Sequence, residues 1–142
     1  RAVPDVSMAL LAAAGLGLAA AGPVLAHGFG AQAAVVVLLM VCAYDAGDYL
    51  IGSGSSTRWE GPAAGVVAVG VVTFAVSVVP LEPLDVKATC ALGILTALLA
   101  PLGPPAASLL VGSGRRPARH LRRLDSLLVL GPVVPYALAL IV

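Results

Sequence analysis

Charge is what this sequence has least of. Asp, Glu, Lys and Arg make up 11% of its 142 residues, against about 25% in an ordinary soluble domain. Eight basic and seven acidic side chains leave a net charge of +1. That is no basic excess of the kind that holds nucleic acid, so no nucleic-acid partner is expected. Cysteine is nearly absent: Cys42 and Cys90 both sit inside apolar runs, which makes neither a disulfide framework nor a zinc-ligand spacing. Each reads as a small apolar packing residue. There is no Ser/His/Asp pattern, no dinucleotide fingerprint and no haem-type histidine pair, and no repeat of about 20–50 residues marks a solenoid.

What is present is hydrocarbon. Hydrophobic residues make up 60% of the chain, and the mean hydropathy is +1.04. A soluble domain this small has too little interior to hide so much apolar surface. Disorder is excluded as well, because disordered chains are poor in apolar residues and rich in charge. The expectation is an integral membrane protein: an all-α polytopic bundle of about five spans in a single membrane domain over residues 1–142.

A helix needs about 20 apolar residues to cross the bilayer core. Spans are expected near 7–26, 31–51, 62–79, 88–111 and 123–142. Val24-Leu25-Ala26 resembles a signal-peptide cleavage site, but Arg1 is offset by Asp5 and the basic leader is weak. The run from Ala31 to Tyr44 is too short to cross unless it continues to Ile51, which draws in Asp45 and Asp48. Pro101, Gly103, Pro104 and Pro105 interrupt the fourth apolar stretch, so a break is expected near 101–105.

Arg115, Arg116, Arg119, Arg122 and Arg123 crowd one short polar stretch. The positive-inside rule puts that stretch in the cytoplasm. The cluster also suits anionic lipid headgroups or a substrate phosphate; His120 within it is given no role. Counting spans from there collects Asp45, Asp48, Arg58, Glu60 and Asp125 at the cytoplasmic face of an inner or plasma membrane.

An acid near the bilayer centre costs about 2.5–3.5 kcal/mol, so Asp45 and Asp48 are functional candidates by default. They stand three apart, on one helix face. The bland alternative ends the span at Tyr44, leaving both acids wet and Tyr44 and Tyr49 as interfacial anchors. Magnesium commonly takes one or two carboxylates plus substrate phosphates and water; Asp45, Asp48 and Asp125 suffice if they converge. Gly52 to Ser56 is a flexible turn or a backbone cradle for phosphate, without the lysine of a P-loop. Trp59 reads as an interfacial residue. Gly61, Gly65 and Gly70 suggest close helix packing.

These segments resemble a family. Tyr44-Asp45-Ala46-Gly47-Asp48-Tyr49-Leu50-Ile51-Gly52 is similar to the Ala-Asp-x-Gly-Ala-Tyr-x-x-Gly segment of phosphatidate cytidylyltransferases, the CDP-diacylglycerol synthases. Thr57-Arg58-Trp59-Glu60-Gly61 is similar to their Lys-Thr-Trp-Glu-Gly. Leu121-Arg122-Arg123-Leu124-Asp125-Ser126-Leu127 resembles their closing Leu-Asp-Arg-x-Asp-Ser-Leu, and Pro132 to Tyr136 their Pro-Val-x-Tyr tail. The motifs occur in the family's order and correspond to the C-terminal part of a usual member. Arg122 replaces the first aspartate of the closing motif, and Thr57 replaces the lysine. The family's acidic Gly-Asp-x-x-Glu-Ser helix is replaced by Gly103-Pro104-Pro105-Ala106-Ala107-Ser108.

The resemblance implies cytidylyl transfer from CTP to phosphatidic acid, with release of pyrophosphate, at the cytoplasmic membrane face. It implies Asp45 and Asp125 as catalytic residues and Asp45, Asp48 and Asp125 as magnesium ligands. Arg58, Trp59, Glu60, Arg123 and Ser126 would be substrate-binding, with Arg58 and Arg123 on phosphates. Phosphatidic acid or another anionic lipid and CTP are the expected partners. The departures leave a second reading open: a catalytically inactive relative serving as a structural or regulatory subunit beside a membrane protein partner. A small transporter or channel subunit rests only on the intramembrane acids.

Overall fold

The structure is a computed structural model and describes residues 2–111 and 125–142. The arginine cluster, with Arg122, Arg123 and His120, lies outside the described residues. Six α-helices account for nearly all the rest: α1 (Ala2–Ala26), α2 (Ala31–Gly52), α3 (Glu60–Ser77), α4 (Val86–Leu99), α5 (Gly103–Val111) and α6 (Asp125–Ile141). The fold is all-α. Four stretches are long and apolar enough to cross a membrane: Ala9–Phe29, Ala31–Gly52, Glu60–Ser77 and Val86–Ser108. The apolar helix α6 is shorter.

Local chemistry sets the helix ends. The chain reverses between α1 and α2 at Gly30, whose φ of 132° is open to glycine and strained for other residues. Asp85 caps α4, its Oδ1 accepting the Ala88 N–H at 2.7 Å. The expected interruption is a tight turn at Ala100–Leu102 that joins α4 to α5. Pro104 and Pro105 fall in the first turn of α5, where a missing N–H breaks no intrahelical bond. The second helix does not stop at Tyr44; it runs on through Asp45 and Asp48 to Gly52.

The main packed pairs are α2 with α3, α1 with α6, and α3 with α4, while α6 also meets α4 and α5. Val36, Met40, Leu92, Leu130, Val134 and Leu138 form the buried centre. Large apolar side chains such as Phe74, Leu98 and Leu140 face outward, as on helices that meet hydrocarbon on their free side.

In lipid the helices gain little by hiding apolar surface from one another, so close backbone approach carries more of the association. Glycines make that approach possible. A Cβ on Gly22 would lie 2.8 Å from the Gly131 Cα, and one on Gly131 would run into the Leu18 carbonyl. Gly15 meets Leu128 as Gly22 meets Gly131, so α1 and α6 run the same way. Pro135 has no N–H to offer the Gly131 carbonyl, and that carbonyl lies 3.1 Å from a Cβ position on Gly22.

Gly61 and Gly65 admit α2 as their spacing suggests, but Gly70 faces open space. The next position on that stripe is Val69, four residues after Gly65, and it is buried. Cys42 and Cys90 are exposed and do not pack inside the bundle. Their apolar neighbours were a poor guide, because apolar residues surround these helices on every side.

Candidate functional site

Three elements bring polar residues toward one end of the bundle: the last turns of α2, the first turn of α3 and the start of α6, which seats beside the α4–α5 junction. The central contact links the second and last helices. Ser126 Oγ donates to Asp45 Oδ1 at 2.6 Å, across 81 positions of sequence. Asp45 is partly buried. Asp125 and Ser126 are 6% and 3% exposed, so the first turn of α6 enters the bundle interior. Gly103 allows this, since a Cβ there would collide with the Asp125 backbone.

Asp48 lies one turn beyond Asp45, against α3. A Cβ on Gly61 would sit 2.5 Å from Asp48 Oδ1 and 3.0 Å from the Asp48 carbonyl oxygen. One on Gly52 would sit 3.8 Å from the same carboxylate oxygen. The carboxylate thus occupies a notch between two glycines, at the first turn of α3. A turn earlier on α2, the buried Tyr44 presses its ring on Gly65, whose Cβ position is 2.7 Å from two ring carbons. The alternation of Tyr44 on Gly65 and Asp48 on Gly61 sets the register of α2 on α3.

The turn from Ser53 to Trp59 closes this end. Ser55 Oγ lies 3.2 Å from the Gly52 carbonyl oxygen and 2.8 Å from that of Thr57. Thr57 Oγ1 donates to Glu60 Oε1 at 2.8 Å. Arg58, Trp59 and Glu60 are exposed.

The structure therefore joins Asp45 to Ser126 and sets Asp48 against the helix that Glu60 begins. Among the described residues, no three His, Cys, Asp or Glu side chains form a group able to hold a metal ion. Asp45, Asp48 and Asp125 are included in that statement. One oxygen of Asp45 is already taken by a hydroxyl. Such a donor set does not make a protein cage for magnesium. It suits only a cation carried chiefly by substrate phosphates and water, which asks for one or two carboxylates from the protein. Arg123 lies outside the described residues.

No family model, curated protein or solved structure matches this chain. What the chain does is therefore read from its own residues.

Sequence reading passed over the hydroxyl of Thr57, which holds Glu60, and the packing roles of Tyr44 and Gly103. The Thr-x-x-Glu spacing resembles a capping box in sequence, but Trp59 is the N-cap of α3, no side chain caps it, and the Thr57 hydroxyl bonds the Glu60 side chain instead. Nothing in the sequence around Gly103 marks it as the contact for α6. A hollow of about 440 Å³ lies at the other end of the bundle, lined by the segment from Ser77 to Val86. It holds none of the candidate residues.

Proposed function

We propose that this chain is an integral membrane protein of the phosphatidate cytidylyltransferase kind, working at the cytoplasmic end of the bundle. In this reading a phosphate oxygen of phosphatidic acid attacks the α-phosphorus of CTP, and pyrophosphate leaves. The observation that carries the proposal is the Ser126–Asp45 hydrogen bond. It links two of the segments on which the family resemblance rests, joining side chains of α2 and α6 that lie 81 positions apart.

Phosphoryl-type transfer depends mostly on positioning and charge stabilisation. Ser126 would orient the Asp45 carboxylate. Asp125, from the same turn, would complete a small acidic site with Asp45 and the neighbouring Asp48. Arg58 and Arg123 would meet phosphate, with Trp59 and Glu60 shaping the adjoining turn. Magnesium brought with CTP would neutralise triphosphate charge, held by Asp45 and Asp125 on the protein side. The arginine-rich segment before α6 would place this end in the cytoplasm of an inner or plasma membrane.

A second reading has its own support. Arg122 stands where the closing motif has its first aspartate, and Gly103 to Ser108 stands where the family has an acidic helix, which favours an inactive relative acting as a subunit of a membrane complex. One assay separates the two. Radiolabelled CTP, phosphatidic acid and magnesium in detergent are expected to give a lipid-soluble product, lost in Asp125→Asn. A folded chain that shows no turnover with any of several lipid acceptors, yet co-purifies with a stoichiometric protein, supports the subunit.

A further inference from the structure

The hollow of about 440 Å³ lies at the end of the bundle away from the candidate site, and its walls are the residues from Ser77 to Val86, the turn that joins α3 to α4. Both helices belong to stretches long and apolar enough to cross a membrane, so the hollow opens where hydrocarbon gives way to water. The turn is fixed from beneath. Leu84 is buried in the core, and its N–H donates to the Leu81 carbonyl at 2.7 Å. Val78, Val79 and Val86 remain exposed, so much of the wall is aliphatic, and no aromatic ring lines it. Charges of opposite sign stand on the same turn. Glu82 lines the hollow, is exposed, and has no hydrogen bond or ion pair among the described residues. Lys87 follows the hollow in the first turn of α4, also exposed and also without an ion pair among the described residues. Asp85 uses one carboxylate oxygen to cap α4.

An aliphatic hollow with an acid in its wall and a base beside it complements a zwitterion that carries acyl chains. We propose that the hollow seats the headgroup of a phospholipid bearing a primary ammonium, as phosphatidylethanolamine does. The ammonium donates to the Glu82 carboxylate. The phosphate meets Lys87 at the start of α4, the end of a helix that favours negative charge. The acyl chains run along Val78, Val79 and Val86. A choline head fits less well, because it has no N–H for Glu82 to accept from, and the hollow has no ring to face a quaternary ammonium. A headgroup with phosphate and no amine would leave Glu82 beside a like charge. The inference is independent of the proposed reaction: it concerns the opposite end of the bundle and a lipid without net charge.

The full chain is purified in detergent and offered equal amounts of phosphatidylethanolamine and phosphatidylcholine with the same acyl chains. The lipids it retains are counted by native mass spectrometry. Phosphatidylethanolamine is expected to exceed phosphatidylcholine by about two- to fivefold, as suits an ion pair at an exposed site. Glu82→Gln is expected to bring the two level, because it removes the group that tells the heads apart. Lys87→Gln should lower both together and leave their ratio as it was, since both lipids carry the phosphate. Both side chains are exposed, so neither change disturbs the core. Equal retention in the wild type overturns the proposal, as does a preference that survives Glu82→Gln. So does a Lys87→Gln variant that shifts the ratio or changes nothing. Displacement of the lipid by excess glycerophosphoethanolamine overturns it too, because the occupant is then a soluble amine. A dimer that holds no lipid means that a second copy covers the turn, which is a further refutation. No CTP enters the experiment, so a failed transfer assay leaves its outcome untouched.

Discussion

The Ser126 hydroxyl and the Asp45 carboxylate are bonded at 2.6 Å although α6 and α2 are distant in sequence. Ser126→Ala leaves that carboxylate partly buried with no partner among the described residues. Hydrogen bonds between membrane helices average about 0.6 kcal/mol and reach about 1.7. A short bond to a partly buried acid side chain belongs at the upper end of that range. The expected loss is about 1–2 kcal/mol, read from thermal unfolding in detergent. In an Asp45→Asn background the same substitution should cost less. Strict additivity of the two changes would remove the coupling.

The α1–α6 seam makes a sharper stability prediction. A methyl on Gly131 meets the Leu18 backbone, which cannot swing aside as a side chain would. Gly131→Ala is expected to destabilise by about 1–3 kcal/mol, the usual cost of overpacking. Gly17→Ala and Gly70→Ala are the controls, because nothing lies within 4 Å of a Cβ at either position. If Gly131→Ala unfolds at the same temperature as these two, the close approach of α1 and α6 is not as described.

Features governed by local chemistry were legible in the sequence. The run from Ala31 to Tyr44 is too short to cross a bilayer, so its continuation through Asp45 and Asp48 followed from length. The interruption after Leu99 followed from Pro101, Gly103 and the two prolines behind it. Facing was not legible. Apolar residues cover each helix all round, so neither the outward position of Cys42 nor that of Gly70 stood out. The Ser126–Asp45 bond was beyond reach for a different reason. It depends on how α6 seats beside Gly103, a tertiary fit that no local pattern encodes. Tyr44, an anchor at the membrane surface had the helix ended there, is buried because Gly65 leaves room for its ring.

Sidedness can be tested without reference to activity. The proposed sidedness rests on the five arginines between α5 and α6, which the positive-inside rule would put in the cytoplasm. In a Cys42→Ala, Cys90→Ala background, Ala118→Cys should react with an impermeant thiol reagent only after the cytoplasmic side is opened. A cysteine at Glu82, in the turn between α3 and α4, should react from the outside. The reverse pattern would invert the bundle and move the candidate site to the wrong face for CTP.

The register of α2 on α3 rests on Tyr44 against Gly65 and Asp48 against Gly61. The cytidylyltransferase-like pattern has alanine at both α2 positions, so these contacts belong to this chain. A Cβ on Gly65 meets the Tyr44 ring at 2.7 Å and the Tyr44 carbonyl oxygen at 2.9 Å. Gly65→Ala is therefore expected to cost about 1–3 kcal/mol. Truncating the ring with Tyr44→Ala removes one of the two obstacles and leaves the backbone oxygen in place. The double variant should recover part of the loss in unfolding temperature and not all of it. Full recovery would mean that the helices are held apart by the ring alone. No recovery would mean that the backbones already touch and that the ring only fills the space beside them.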